Sequence, residues 1–216
     1  MNAKVRDVMT REVVSVHRYT PFKDIARTLF DLEISAVPVV DDAQRVAGIV
    51  CAADLIEKQA RRAEHPRGPR RGPRVAGAPR DGLAGVSAET LMTSPVVTVT
   101  PEADTATAAR LMHRNAVKHL PVVNRSGRLV GIVSEKDLLT VFLRPDLDIQ
   151  DEIVRDVLLD EPGVDPRMFT VQVRDGIATL AGPVADEQAA EGLVRRVRAV
   201  DGIVEVIAQL TTAADQ

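Results

Sequence analysis

The sequence predicts an α/β (α+β) chain with two kinds of folding unit: a tandem pair of β-α-β-β-α repeats, then a small C-terminal α-β-β-α-β domain. Three observations carry this. Residues 9–56 and 92–139 align without a gap at a constant offset of 83, and 16 of the 48 paired positions are identical. Within each copy, short apolar β-branched runs alternate with segments whose apolar residues recur at helical spacing. From about residue 149 the pattern changes to an apolar helix, two alternating runs around Asp175-Gly176, a second helix and a last apolar run. Duplicated units of this kind pack face to face about a pseudo-twofold axis, and clefts between them can draw polar groups from both halves.

In the first copy Val13–Val16 reads as a short strand. Thr20-Pro21 then supplies an N-cap with proline at the first helical position, and Ile25, Ala26, Leu29 and Phe30 give that helix an apolar face. Val37–Val40 is a continuous apolar run, as expected of a strand buried on both sides. Asp41-Asp42 opens a turn, Val46–Val50 returns, and Asp54-Leu55-Ile56 begins a second helix. The second copy follows the same plan: Val96–Val99, a helix around Ala108–Met112, Leu120–Val123, the Ser126-Gly127 turn, Leu129–Val133, and a helix from Asp137 to Leu143. The copies span 1–60 and 88–144. Residues 61–87 between them are rich in Arg, Pro and Gly and read as a flexible insertion.

The C-terminal domain spans 149–212. Ile149, Ile153, Val157 and Leu158 mark its first helix; Phe169, Val171 and Val173 alternate with polar residues; Asp175-Gly176 is a tight turn; Ile177–Leu180 returns. Ala189, Leu193, Val197 and Val200 give the second helix a core face, Gly202 is placed to end it, and Ile203–Leu210 is the last strand.

Composition bounds what such a chain does. With 216 residues, 45% hydrophobic and 27% charged, it is an ordinary globular sequence with no run near the ~18 apolar residues of a membrane span. The first residues lack a signal peptide's apolar core, and a lone cysteine, Cys51, makes no intramolecular disulfide, so a cytoplasmic location is expected. Charge is segregated: residues 58–88 carry eight Lys/Arg against two acids, and residues 145–216 six Arg against fifteen acids. Such opposite segments can attract each other, and 2% aromatic content leaves few rings to stack on bases, so nucleic acid and membranes are not the expected partners. His17, His65 and His113 show no metal-ligand spacing. With no nucleophile–base pair or phosphate-cradling glycine loop either, no enzymatic activity, metal or required cofactor is expected.

The repeats resemble a pair of CBS domains, the module named after cystathionine β-synthase, which together form a Bateman module. The resemblance rests on Met9-Thr10 and Met92-Thr93, on Val37-Pro38-Val39-Val40 and Leu120-Pro121-Val122-Val123, and on Gly131-Ile132-Val133-Ser134-Glu135-Lys136-Asp137. It implies a regulatory, non-catalytic module that binds an adenosine-containing ligand (AMP, ADP, ATP or S-adenosylmethionine) in a cleft between repeats, and a homodimer through the helices carrying Leu29, Phe30, Leu111 and Met112. By motif position Asp137 and Asp54 would accept ribose hydroxyls, and Ser134 would face phosphate at a helix N-terminus with Lys118 and His119. Val97, Leu120 and Ile132 would hold the purine. The first repeat departs from the pattern: Cys51 stands where the second has Ser134, and Ser35 and Ala36 stand where it has Lys118 and His119. Its cleft is expected to hold phosphate poorly. Ser134 and Asp137 also suit a capping box, a role compatible with ligand contact. His119 is assigned by motif position alone, and Cys51, with no basic neighbour within three positions, reads as a structural thiol.

The tail is similar to a BON domain, on Phe169 through Val184 and Arg198 through Val206. Its acidity argues against an anionic membrane and favours a role in protein interaction or stability. Two functions follow: a regulatory sensor acting on an unidentified protein partner, or an interaction scaffold with degenerate clefts that binds through the BON domain or the Arg-rich loop.

Overall fold

The computed structural model describes residues 3–64, 86–161 and 164–212. The predicted insertion falls largely outside the described residues. In chain order the elements are α1 (Val5–Val8), β1 (Val16–His17), α2 (Phe22–Asp31), β2 (Ala36–Val40), β3 (Val46–Cys51), α3 (Ala52–Glu64), α4 (Ala88–Leu91), α5 (Thr105–Asn115), β4 (His119–Val123), β5 (Leu129–Ser134), α6 (Glu135–Leu139), α7 (Asp146–Glu152), β6 (Thr170–Arg174), β7 (Ile177–Val184), α8 (Glu187–Arg198) and β8 (Glu205–Thr212). They fall into two compact units: 9–64, 86–103 and 107–134 in one, and 3–8, 104–106, 135–161 and 164–212 in the other.

In the first unit the all-apolar β2 lies between β1, parallel, and β3, antiparallel. Every residue of β2 is buried, as a strand apolar on both faces should be. Val16, Ile25, Leu29, Val37, Val39, Val50, Leu55 and Ala88 form its core. The second copy reproduces the hairpin as β4 and β5, with the same irregularity one residue before the end of the pairing.

Three expectations are corrected in this unit. The strand predicted at Val13–Val16 shrinks to Val16–His17, because Thr10 pairs with Ile132 of the other repeat and Val13 N–H turns back to Arg11 C=O. Its counterpart, Val96–Val99, likewise contributes a single bridge, from Val99 to Val122. Thr20 does not cap α2: Pro21 occupies the cap position, held extended by a bridge to Ser87, while the Thr20 carbonyl accepts from Ala88. Finally, Leu29 and Met112 are buried in the chain's own core whereas Phe30 is 83% exposed, so of the apolar helix face Phe30 is the residue left to solvent.

Main-chain pairing between the copies obeys the 83-residue offset. Thr10 and Ile132 exchange both hydrogen bonds, at 2.9 and 3.0 Å, and the equivalent pair, Thr93 and Ile49, does so at 2.9 and 3.3 Å. Gln44 C=O accepts from Leu129 and Gly127 C=O from Val46, while Arg45 faces its own equivalent, Arg128. Each pre-strand segment thus caps the hairpin of the opposite copy, which is the pseudo-twofold arrangement the repeat predicts. Two glycines permit the approach. A Cβ on Gly48 would lie 2.5 Å from Met92 Sδ, and one on Gly131 would lie 2.5 Å from Met9 Sδ. Gly48→Ala is therefore expected to cost about 1–2 kcal/mol by urea unfolding, with much of the loss recovered in a Gly48→Ala/Met92→Ala double variant. Full additivity of the two would show that Met92 is not what the glycine accommodates.

The second unit is built on the sheet β6-β7-β8, antiparallel then parallel. Ile149, Ile153, Leu158, Ala178, Leu180, Leu193 and Val197 make its core with next to no exposure. The helix begun by α7 runs on with π-type bonding over Ile153–Leu158, which keeps all four predicted apolar residues inside. Asp175 and Gly176 both adopt positive φ, as a two-residue hairpin turn requires, and their N–H groups donate to the Asp146 carboxylate at 2.8 and 3.2 Å. Asp186 caps α8, accepting from Ala189 at 2.8 Å, and Arg195, Arg196 and Arg198 fill its last turn, where the helix dipole favours cations. The helix ends at Arg198, so Gly202 is not its cap; with φ +96° it serves a tight passage beside Ile149 and the Val141 carbonyl. The helix predicted from Asp137 to Leu143 is α6 followed by a 3-10 turn over Thr140–Leu143.

A polar cluster joins three segments of this unit. Arg144 donates to Glu152 at 2.6 Å and to the Asp201 carbonyl at 2.9 Å, while the Asp201 carboxylate accepts from Ala3 N–H. Burial alone would raise the Glu152 carboxyl, but the positive charges that face it, the Arg144 guanidinium first among them, together outweigh it and hold the pKa below the ordinary glutamate value. Asp201 moves the other way, raised by burial despite its hydrogen bond from Ala3.

Candidate ligand site

The hairpin β4-β5 sets the site. Its register places His119 directly opposite Ser134, so the two side chains emerge on one face at the open end of the hairpin. Both are partly buried, and Lys118, one residue earlier, is exposed. Ile132 and Val97 keep part of their surface accessible, whereas Leu120 has none and packs into the interior. Asp137 is the third residue of α6 and is partly buried.

In the first copy the equivalent cross-strand pair is Ala36 and Cys51. Asp54 Oδ2 accepts the Cys51 N–H at 2.8 Å, which is the carboxylate half of a capping box at the start of α3. The Cys51 thiol is pushed up to about 11, first by burial and then by the Asp54 charge, so at neutral pH it is a protonated, unreactive group. The structure also brings together two residues from different copies: Ser35 Oγ and His119 Nε2 share a hydrogen bond of 2.8 Å. Among the described residues no group of three His, Cys, Asp or Glu side chains could hold a metal, and no helix is long and apolar enough to cross a membrane.

The family profile of the CBS domain matches residues 5–61 and again 88–144, and that of the BON domain matches 146–214. The chain belongs to the CBS-domain family. Its C-terminal part is a BON domain. The CBS-domain pair of protein MJ0100, solved with 5′-methylthioadenosine and S-adenosylmethionine, is similar over 66% of this chain and 97% of its own, with a TM-score of 0.54 and 21% identity. The structure of CBSX2 in complex with AMP is similar over 65% of this chain and 96% of its own, with a TM-score of 0.50 and 24% identity. At those identities the likeness establishes the fold. In sequence, the homoserine O-acetyltransferase of Methanococcoides burtonii is 26% identical over 137 residues, 63% of this chain. The chain spans about a quarter, 24%, of that relative's length.

Within the CBS pair, then, the motif residues do not stand alike. Ser134 and His119 face one another across a hairpin, Ile132 and Val97 present partial apolar surface, Leu120 is buried, and Asp54 already accepts the Cys51 N–H. Ser35 was missed by sequence reasoning, where it counted only as the absence of a lysine. The signal that could have found it is the repeat symmetry itself. A pseudo-twofold axis that brings Arg45 to Arg128 can bring the residues before β2 and β4 together as well.

Proposed function

We propose that this chain is a non-catalytic cytoplasmic regulator that senses an adenosine-containing ligand, AMP, ADP, ATP or S-adenosylmethionine, through its CBS pair. The observation that carries the reading is the retained Gly131-Ile132-Val133-Ser134 strand end with His119 opposite Ser134: a hydroxyl beside an imidazole at an open hairpin end suits an anionic group. Asp137 accepts the ribose hydroxyls, Ser134 with Lys118 or His119 faces phosphate, and Val97 and Ile132 lie along the purine. The similar CBS pairs that hold AMP, or methylthioadenosine with S-adenosylmethionine, support the ligand class. The chain pairs with a second copy through CBS helices, on which Phe30 and Ile56 expose 83% and 70% of their surface. The ligand state reaches a protein partner through the packing of the repeats or through the BON domain.

Thermal unfolding tests the reading, because a ligand that binds only the folded state raises Tm in proportion to the logarithm of its excess over Kd. AMP, ATP or S-adenosylmethionine is expected to raise Tm with increasing concentration, while guanosine monophosphate has a smaller effect. A flat response to all three would favour the other reading, an interaction scaffold. That reading has its own support in Cys51, which leaves the first repeat without the hydroxyl at this position, and in the capping engagement of Asp54.

A further inference from the structure

We propose that the outer edge of β8 is a self-association surface, on which the β8 strands of two copies of this chain pair antiparallel about a twofold axis at Ala208. The proposal stands apart from the ligand reading and from the helix pairing of the CBS repeats. The sheet β6-β7-β8 has two edges, and they are finished differently. At the β6 edge α7 supplies side-chain acceptors: Gln150 takes the Val173 N–H, and Asp146 takes those of Asp175 and Gly176. At the β8 edge, among the described residues, no backbone group of Glu205 through Thr211 bonds outside the sheet. Exposed edges are ordinarily blunted by lysine, proline, a bulge or short length, because their unpaired N–H and C=O groups invite another strand. β8 has none of these devices. It runs for eight residues in unbroken register with β7, and its one charged residue, Glu205, stands at the first position.

The sequence of the strand selects a second copy as the occupant. A twofold axis perpendicular to the sheet keeps the core-side residues of both copies on one face, so paired residue numbers have an even sum. With the axis at Ala208, Val206 meets Leu210 of the second copy, Ile207 meets Gln209, and Glu205 meets Thr211. Val206 and Leu210 are partly buried against the domain's core, so this pairing joins their half-covered apolar surfaces across the axis. The carboxylate faces a neutral hydroxyl, and Ala208, small and exposed, lies against its own copy. Moving the axis one residue either way breaks the match of Val206 with Leu210. An axis at Glu205 would set two carboxylates face to face, which disfavours pairing. The result is a continuous six-stranded sheet across two copies.

Thiol cross-linking and hydrogen exchange on the whole chain test this. A short bifunctional thiol reagent is expected to capture Ala208→Cys as a covalent dimer, because the axis brings the two thiols together. Glu205→Cys is expected to escape capture, since its copy lies six residues along the strand, about 20 Å away. The native chain, with Cys51 as its one thiol, is the control. In the native chain the amides of 205–211 should exchange at least about tenfold more slowly as concentration rises, while those of β7 stay constant and report an intact domain. That slowing should vanish in Ala208→Lys and in Ala208→Glu, where like charges meet at the axis, and return when the two variants are mixed. Should the cysteine variant not fold, exchange of the native chain decides. No cross-link through Ala208→Cys, an equal cross-link through Glu205→Cys, or no recovery on mixing overturns the proposal. So does a β8 edge that exchanges rapidly at every concentration, which would leave it to a strand of another protein.

Discussion

Arg144→Met is expected to destabilise the C-terminal unit by about 2–4 kcal/mol at neutral pH, because it leaves the buried Glu152 carboxylate without its 2.6 Å partner. It also removes the 2.9 Å hydrogen bond to the Asp201 carbonyl. The pH dependence identifies the cause. In the native chain the Glu152 pKa is depressed, so its contribution is complete above the unfolded value and is lost as pH falls through the folded one. In Arg144→Met burial is opposed less and the pKa rises, so the carboxylate contributes less stability as pH rises through its titration. The difference between native and variant should therefore be small near about pH 3 and widen toward pH 7. Urea unfolding at both pH values, with Arg144→Met/Glu152→Gln as a partial rescue, checks this. A loss equal at the two pH values would mean that only packing was disturbed.

Asp137→Ala should weaken the adenosyl ligand by about one to two powers of ten, the cost of deleting a hydrogen-bonding carboxylate worth ~1.5–3 kcal/mol. Asp54→Ala should matter less, since Cys51 offers no hydroxyl beside it and one Asp54 oxygen is committed to the Cys51 N–H. That second variant should instead lower stability by about 1 kcal/mol through loss of the cap. Equal loss of ligand from the two variants, or loss from Asp54→Ala alone, would reverse the assignment of the better cleft.

The duplication made most of the architecture legible before any coordinates, because identical short motifs at one offset leave little freedom in element order. β2 and β4 could be read from continuous apolar runs, and the Asp175-Gly176 turn from a dipeptide that tolerates two positive φ angles. Val13–Val16 misled because β propensity is local, whereas the exchange between Thr10 and Ile132 that shortens the strand is long-range. Phe30 and Leu29 adjoin on one helix yet differ in exposure by more than tenfold, 83% against 6%, and helical spacing does not resolve one position of rotation. At the candidate site, the family resemblance singled out Ser134, His119 and Asp54 together with Leu120, which the structure places in the interior. Ser35 could not be found by comparing each residue with its counterpart, since its partner His119 lies across the pseudo-axis one position away from its equivalent.

Titration calorimetry of the 216-residue chain with AMP, ATP and S-adenosylmethionine measures ligand sensing most directly. Saturable binding of at least one of them is expected, with one site per chain dominating and its affinity reduced at least tenfold in Asp137→Ala. No binding heat for any of the three, with the chain folded and its Tm unmoved, would contradict a nucleotide sensor and leave a CBS pair that works by protein contacts alone.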